Sequence, residues 1–325
     1  MLTDDTPSRT GEIALHFDVR RSQREDERGQ IGEAAARVST DRLLKKEAAP
    51  FLFVHVPKTA GSSLYSIFRT ILQPSELLKL HPNGETLLRI NALSERHVTR
   101  LRILYGHVDV QLAREILPLQ QCVTLLRDPV DRIVSYYAFV KHMNSGLHSE
   151  LARRTSITQW IDALRLPETD NGMVRRFSGA LYEAGIGACT RQMLERAKAN
   201  LAQFALVGLT DRFDEFYALL ANRLGLPMRT YVVSKVNTKR PRSDQLRADT
   251  LAQLEQRNAL DRELYRFAEE LHAEQLSKID LSTEIDEFRR RDGDRSMRIR
   301  DAVRRIAFAR WKKLRRRWSL YPFLG

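Results

Sequence analysis

The stretch Phe51-Leu-Phe-Val-His-Val-Pro-Lys-Thr-Ala-Gly-Ser-Ser63 decides the fold. Phe51 to Val56 is a short apolar run suited to a buried parallel strand, and Pro57 ends it. The loop Lys58-Thr59-Ala60-Gly61-Ser62-Ser63 then supplies a cation, three hydroxyls and a glycine that lets the backbone approach an anion. Leu64, Ile67, Phe68 and Ile71 follow at helical spacing, so loop amides and helix N-terminus face the same anion. The ATPase phosphate loop is a different motif: it needs a glycine four residues before a Gly-Lys pair, whereas here Lys58 precedes Gly61.

A second segment, Cys122-Val-Thr-Leu-Leu-Arg-Asp-Pro-Val-Asp-Arg-Ile-Val-Ser135, repeats the strand, loop and helix. Val123 to Leu126 reads as a strand with Arg127 at its end, and Asp128-Pro129 as an N-cap followed by proline at the first helical position. The helix is expected to run to Lys141, with Ser135 about two turns in. An arginine at a strand end and a hydroxyl eight residues on can grip one phosphate from two sides. Two such loops imply a nucleotide with phosphates at two ends.

The pair Pro-Lys-Thr-Ala-Gly-Ser-Ser and Leu-Arg-Asp-Pro-Val-Asp-Arg-Ile-Val-Ser-Tyr-Tyr resembles the two cofactor motifs of sulfotransferases that use 3′-phosphoadenosine 5′-phosphosulfate (PAPS). The resemblance is to the membrane-associated carbohydrate type that includes heparan sulfate and uronyl 2-O-sulfotransferases. It implies that Lys58, Thr59, Ala60, Gly61, Ser62 and Ser63 hold the 5′-phosphosulfate, and that Arg127 and Ser135 hold the 3′-phosphate. Leu104-Tyr-Gly-His-Val-Asp109 resembles the family segment carrying the catalytic base, which assigns that role to His107, with Lys58 as the second catalytic residue, stabilising the leaving oxygen. Asp170-Asn-Gly-Met-Val-Arg-Arg-Phe-Ser-Gly179 resembles the motif near the acceptor, which puts Asn171, Arg175 and Arg176 at the substrate. Val207-Gly-Leu-Thr-Asp-Arg-Phe213, Val236-Asn-Thr-Lys-Arg-Pro241 and Asn258-Ala-Leu-Asp-Arg-Glu-Leu-Tyr265 extend the similarity; Lys239 and Arg240 are loop cations, either solvated or closing on the nucleotide. Heparan sulfate enzymes often place a second histidine two residues before the base, where this chain has Tyr105, so the acceptor sugar stays unassigned. The family works without an obligatory metal, and none is required here.

On position alone, His107 would more often be a structural residue than a base, and the match to the family motif reverses that; His55 reads as a support for the core or the loop. The other six of eight histidines show no metal-ligand spacing. Arg132 is expected to tie its helix to neighbouring carboxylates. Strands alternating with helices indicate an α/β, P-loop-like three-layer fold with a mainly parallel sheet flanked by helices, plus a basic C-terminal helix. The expected organisation is a mobile tail over 1–47, a catalytic domain over 48–288 and a basic amphipathic tail over 289–325.

The formal charge is +13, and Arg289 to Gly325 holds fourteen Arg and Lys against three Asp. Ile299, Val303, Ala307, Trp311, Leu314 and Trp318 form one helical stripe, which suits an anionic membrane surface, self-packing or a polyanion. Two cysteines make no disulfide framework, and no apolar run of ~18 residues is present, so the expectation is a cytoplasmic protein peripheral on the inner membrane face, with no nucleic-acid partner. Two rival functions stay open from the residues: a P-loop-like phosphotransferase, and a non-catalytic protein that binds a polyanion or a membrane.

Overall fold

The computed structural model describes residues 42–44, 49–80, 85–143, 146–226, 228 and 245–293. Among them five short strands, β1 (Phe51–Val54), β2 (Leu77–Lys79), β3 (Ile103–Gly106), β4 (Cys122–Leu126) and β5 (Leu206–Leu209), pair in parallel in the order β2-β3-β1-β4-β5. Alternate side chains of each buried strand enter opposite layers, as the period of two requires. Leu52, Leu104, Leu126 and Val207 enter one layer, and Phe53, Ile103, Val123, Leu125 and Leu206 enter the other.

The first layer is covered by α4 (Val110–Ile116), α8 (Gly172–Ser178), α9 (Arg191–Leu201) and α12 (Ala259–Ser277). The second is covered by α1 (Gly61–Ile71), α10 (Phe213–Arg223) and α13 (Ser282–Gly293). A third apolar cluster lies outside the sheet, where α5 (Pro129–Lys141), α6 (Leu147–Arg154), α7 (Ile157–Leu164) and α11 (Ala248–Arg257) pack around the fully buried Trp160. Two short helices, α2 (Glu85–Asn91) and α3 (Glu95–Val98), bridge β2 to β3. Arg42 donates to the carbonyls of Asn91 and Leu93, and Leu43 is fully buried, so this part of the expected N-terminal tail packs on the domain.

The strand order fixes where a ligand fits. From β1 the chain moves to the β2 and β3 side, whereas from β4 it moves to β5, so the switch point falls between β1 and β4. The carboxyl ends of those two strands carry Lys58 to Ser63 and Arg127. Among the described residues no helix is long and apolar enough to cross a membrane. The basic stripe from Ile299 to Trp318, and Lys239 and Arg240, lie outside the described residues.

Candidate active site

The loop after β1 is shaped by its backbone. Lys58 and Ala60 adopt left-handed conformations with φ of 71° and 60°, and alternation of this kind turns successive amides toward a common centre. Thr59 is fully buried and donates to the Val56 carbonyl at 2.8 Å, which ties the loop to its strand. Ala60 is the N-cap of α1 and provides no side-chain cap, and the first turn of this helix contains no acidic residue. Those features suit an anion at the helix N-terminus. Ser62 is exposed and Ser63 buried.

The second loop meets the first. Arg127 Nη1 donates to the Lys58 carbonyl at 3.3 Å, and the Lys58 ammonium lies 4.1 Å from the centre of the Phe139 ring. Phe139 and the half-buried Ser135 are four residues apart on α5, hence on one helix face. Lys58 and Arg127 therefore meet at the switch point, and Ser135 stands one turn before Phe139 on the same helix. Asp128 caps α5 by accepting from the Asp131 amide at 2.9 Å and pairs with Arg262. This collection of cations, hydroxyls and amides suits a phosphate-bearing anion.

His107 stands one strand away, just beyond β3. Because Val54 pairs with Gly106, the next residues along the two strands, His55 and His107, are neighbours. His107 Nδ1 lies 3.0 Å from the His55 carbonyl oxygen, which can only accept, so Nδ1 carries the proton and neutral Nε2 keeps its lone pair. The outer part of His107 is exposed, yet the protein packed against it, and next the Arg176 guanidinium, lower its pKa below the ordinary 6.5. Burial also depresses His55 well below that value, with His107, Arg176, Lys58 and Lys79 adding to it.

The acceptor motif divides. Arg176 Nη1 donates to the Val108 carbonyl at 2.9 Å, next to His107, and its Nη2 pairs with Glu168. Glu168 also accepts from Arg132 at 3.2 Å; burial opposes its ionisation, but Arg176 and Arg132 together hold the carboxyl below its usual range. Asn171 and Arg175 are committed to the fold. Asn171 Oδ1 accepts from the amides of Leu260 and Asp261 at 3.0 Å each, and its Nδ2 donates to the Arg257 carbonyl at 2.9 Å. Arg175 is fully buried and donates to Asp170 and to the carbonyls of Ala184 and Gly185 at 2.5 and 2.7 Å. Of the three residues the resemblance puts at the acceptor, Arg176 alone is placed beside His107.

The sulfotransferase family model matches residues 41–268 of this chain. The chain belongs to the sulfotransferase family. Among curated proteins, this sulfotransferase-family chain is similar to a heparin sulfate O-sulfotransferase of Drosophila melanogaster, 25% identical over 210 residues. The alignment covers 57% of this chain, which spans 59% of the length of that relative. His55, read from the sequence as a support for the core or the loop, stacks on His107, whereas Glu168 beside Arg176 had no place in the sequence reading. A lone glutamate in Pro167-Glu-Thr gives no local signal, and its partners lie 8 and 36 residues away.

Proposed function

We propose that the chain transfers a sulfuryl group from PAPS to a hydroxyl of a carbohydrate acceptor: a polysaccharide, an oligosaccharide or a glycolipid. The observation that carries the proposal is the convergence of Lys58, Arg127 and the uncapped N-terminus of α1 at the switch point, with a base-competent histidine one strand away. Lys58, the loop amides and Ser62 and Ser63 would hold the 5′-phosphosulfate, and Arg127 and Ser135 the 3′-phosphate. PAPS supplies the sulfuryl group and a leaving phosphate.

His107 Nε2 takes the acceptor hydroxyl proton as the acceptor oxygen bonds to sulfur. The bond from sulfur to the oxygen bridging it to the 5′-phosphate breaks, leaving adenosine 3′,5′-bisphosphate. Lys58 and the amides of the loop stabilise the negative charge that builds on that oxygen. Burial, and next the positive charge of Arg176 held by Glu168 and the Val108 carbonyl, lower the His107 pKa, so the base stays neutral near pH 7. The similarity to a heparin sulfate O-sulfotransferase supports a sulfated glycan as acceptor class.

The test is a transfer assay with radiolabelled PAPS against a panel of glycans and lipid-linked sugars, run with and without EDTA. Label on a sugar hydroxyl in EDTA is expected. Phosphoryl transfer from ATP with no binding of adenosine 3′,5′-bisphosphate would overturn the proposal. The sequence stripe in 297–318 supports attachment to an anionic membrane surface, on the cytoplasmic side.

A further inference from the structure

His55 lies between the donor loop and His107. Its ring stacks on that of His107 with centroids 4.0 Å apart and planes 27° from parallel. Elsewhere the ring rests against Gly61, the first residue of α1: a Cβ at that position would lie 2.0 Å from His55 Nε2 and 2.2 Å from Cδ2. His55 Nδ1 shares a hydrogen bond of 2.9 Å with the Tyr105 hydroxyl, and the Tyr105 ring stacks in turn on Phe53 at 5.2 Å. His55 is only 6% exposed. One imidazole thus touches the base, the donor loop and the strand behind both.

We propose that His55 is a positioning residue, a flat ring that sets the separation and tilt of His107 relative to the first turn of α1 and takes no part in proton transfer. The proposal rests on the assignment of His107 as base. Gly61 is explained by it: any side chain there would push the ring out of the stack. Neutrality follows from the surroundings. His107 and Tyr105 on β3, Lys58 on the loop, Tyr65 on α1, Lys79 at the end of β2 and Arg176 on α8 face the pair, and none is acidic near pH 7. Glu168 is already shared between Arg176 and Arg132. A cation on His55, 4.0 Å from a protonated His107, would have no partner.

The experiment compares two replacements in the full chain. His55→Leu fills the volume without a flat face. His55→Phe combined with Tyr105→Phe keeps the stacked ring and removes both hydrogen-bonding partners together, so no buried group is orphaned. Turnover of His55→Leu is expected to fall ~10–100-fold, the scale of a misplacement near 1 Å, while it still binds adenosine 3′,5′-bisphosphate. The double variant is expected to retain most turnover, with the acid limb of its pH profile unmoved. A ring-current shift of the His107 Cε1 proton, read by NMR, should be present in the wild type and the double variant and lost in His55→Leu.

Wild-type turnover in His55→Leu would overturn the proposal. A double variant as inactive as His55→Leu would overturn it too, since the ring nitrogens would then matter. Should His55→Leu fail to fold, the wild-type spectrum and the double variant decide, absence of the shift or loss of turnover counting against. Undiminished turnover in His107→Ala would instead remove the base assignment and leave the NMR comparison standing as a separate result.

Discussion

Arg127 donates from Nη1 to the carbonyl oxygen of Lys58, which joins two sequence motifs 69 residues apart at the carboxyl edge of the sheet. The bond holds a guanidinium against the loop after β1, and Ser135 lies on α5, the helix that follows Arg127. Arg127→Ala and Ser135→Ala are each expected to weaken binding of adenosine 3′,5′-bisphosphate by roughly 1.5–3 kcal/mol, the range for a hydrogen bond to a charged group. Adenosine 5′-phosphate lacks the phosphate they would grip. Calorimetry with both nucleotides checks the assignment, and equal weakening of the two would remove it.

Most of this layout was legible in local sequence. β1 is an apolar run closed by Pro57 and β4 an apolar run broken only by Thr124 and closed by Arg127, and α5 falls on its expected bounds because Asp128-Pro129 is a strong start signal. β2 escaped detection because it is two half-buried residues and one exposed residue at the sheet edge, too short for any period to show. α13 was hidden by its charges: Ile285 and Phe288 carry it into the core, with Leu281 just before it, and the expected domain limit cut through it. The Glu168 pairs and the bonds from Asn171 to α12 depend on chain segments that meet only after folding. Sequence spacing contains no trace of them.

His107 fixes a pH dependence. Burial and Arg176 lower its pKa, so the neutral, base-competent form is complete above pH 6.5 and is lost as pH falls through the lowered value. The acid limb of kcat/KM is therefore expected below pH 6.5. His107→Ala should cost on the order of 10²–10⁴-fold in kcat and abolish that limb, with donor-product affinity retained. An acid limb above 6.5, or an unchanged one in the variant, would assign the base elsewhere.

Stability should follow pH through His55. Its folded pKa lies well below 6.5, so the unfolded chain binds more protons across the interval between the two values. The contribution is full above pH 6.5 and declines as pH falls toward the folded value, by at most ~1.4 kcal/mol per pH unit for one group. His272, also depressed first by burial, adds in the same direction. Urea midpoints measured between pH 7.5 and about pH 5, above the range where carboxylates dominate, are expected to fall more steeply for the wild type than for His55→Phe with Tyr105→Phe. Parallel slopes would mean that His55 titrates normally.

The sequence of the C-terminal stretch leads to a separate expectation. A protein attached through residues 297–318 should sediment with vesicles containing anionic lipid and be released by high salt, which screens attraction to headgroups. Trp311→Ser with Trp318→Ser should weaken sedimentation even at low salt, since the apolar stripe supplies the remainder. A full chain that ignores such vesicles would end the membrane proposal without touching the catalytic one.

Asn171 separates a role at the acceptor from a role in the fold. It holds a left-handed φ of 49°, and its amide bonds both ends of the α11–α12 junction through Arg257, Leu260 and Asp261. Removing it leaves two buried amide donors and a carbonyl without their partner, at a cost of ~1–3 kcal/mol. Ala is also a poor occupant of that conformation, whereas Asn tolerates it. Asn171→Ala is accordingly expected to lower the unfolding midpoint clearly while leaving the acceptor KM of the remaining folded enzyme near the wild-type value. Arg176→Lys should do the reverse in kinetics: it keeps the charge but not the fork that joins Glu168 to the Val108 carbonyl, so His107 loses a fixed neighbour and kcat falls. A normal midpoint with a raised acceptor KM in Asn171→Ala would return that residue to the acceptor.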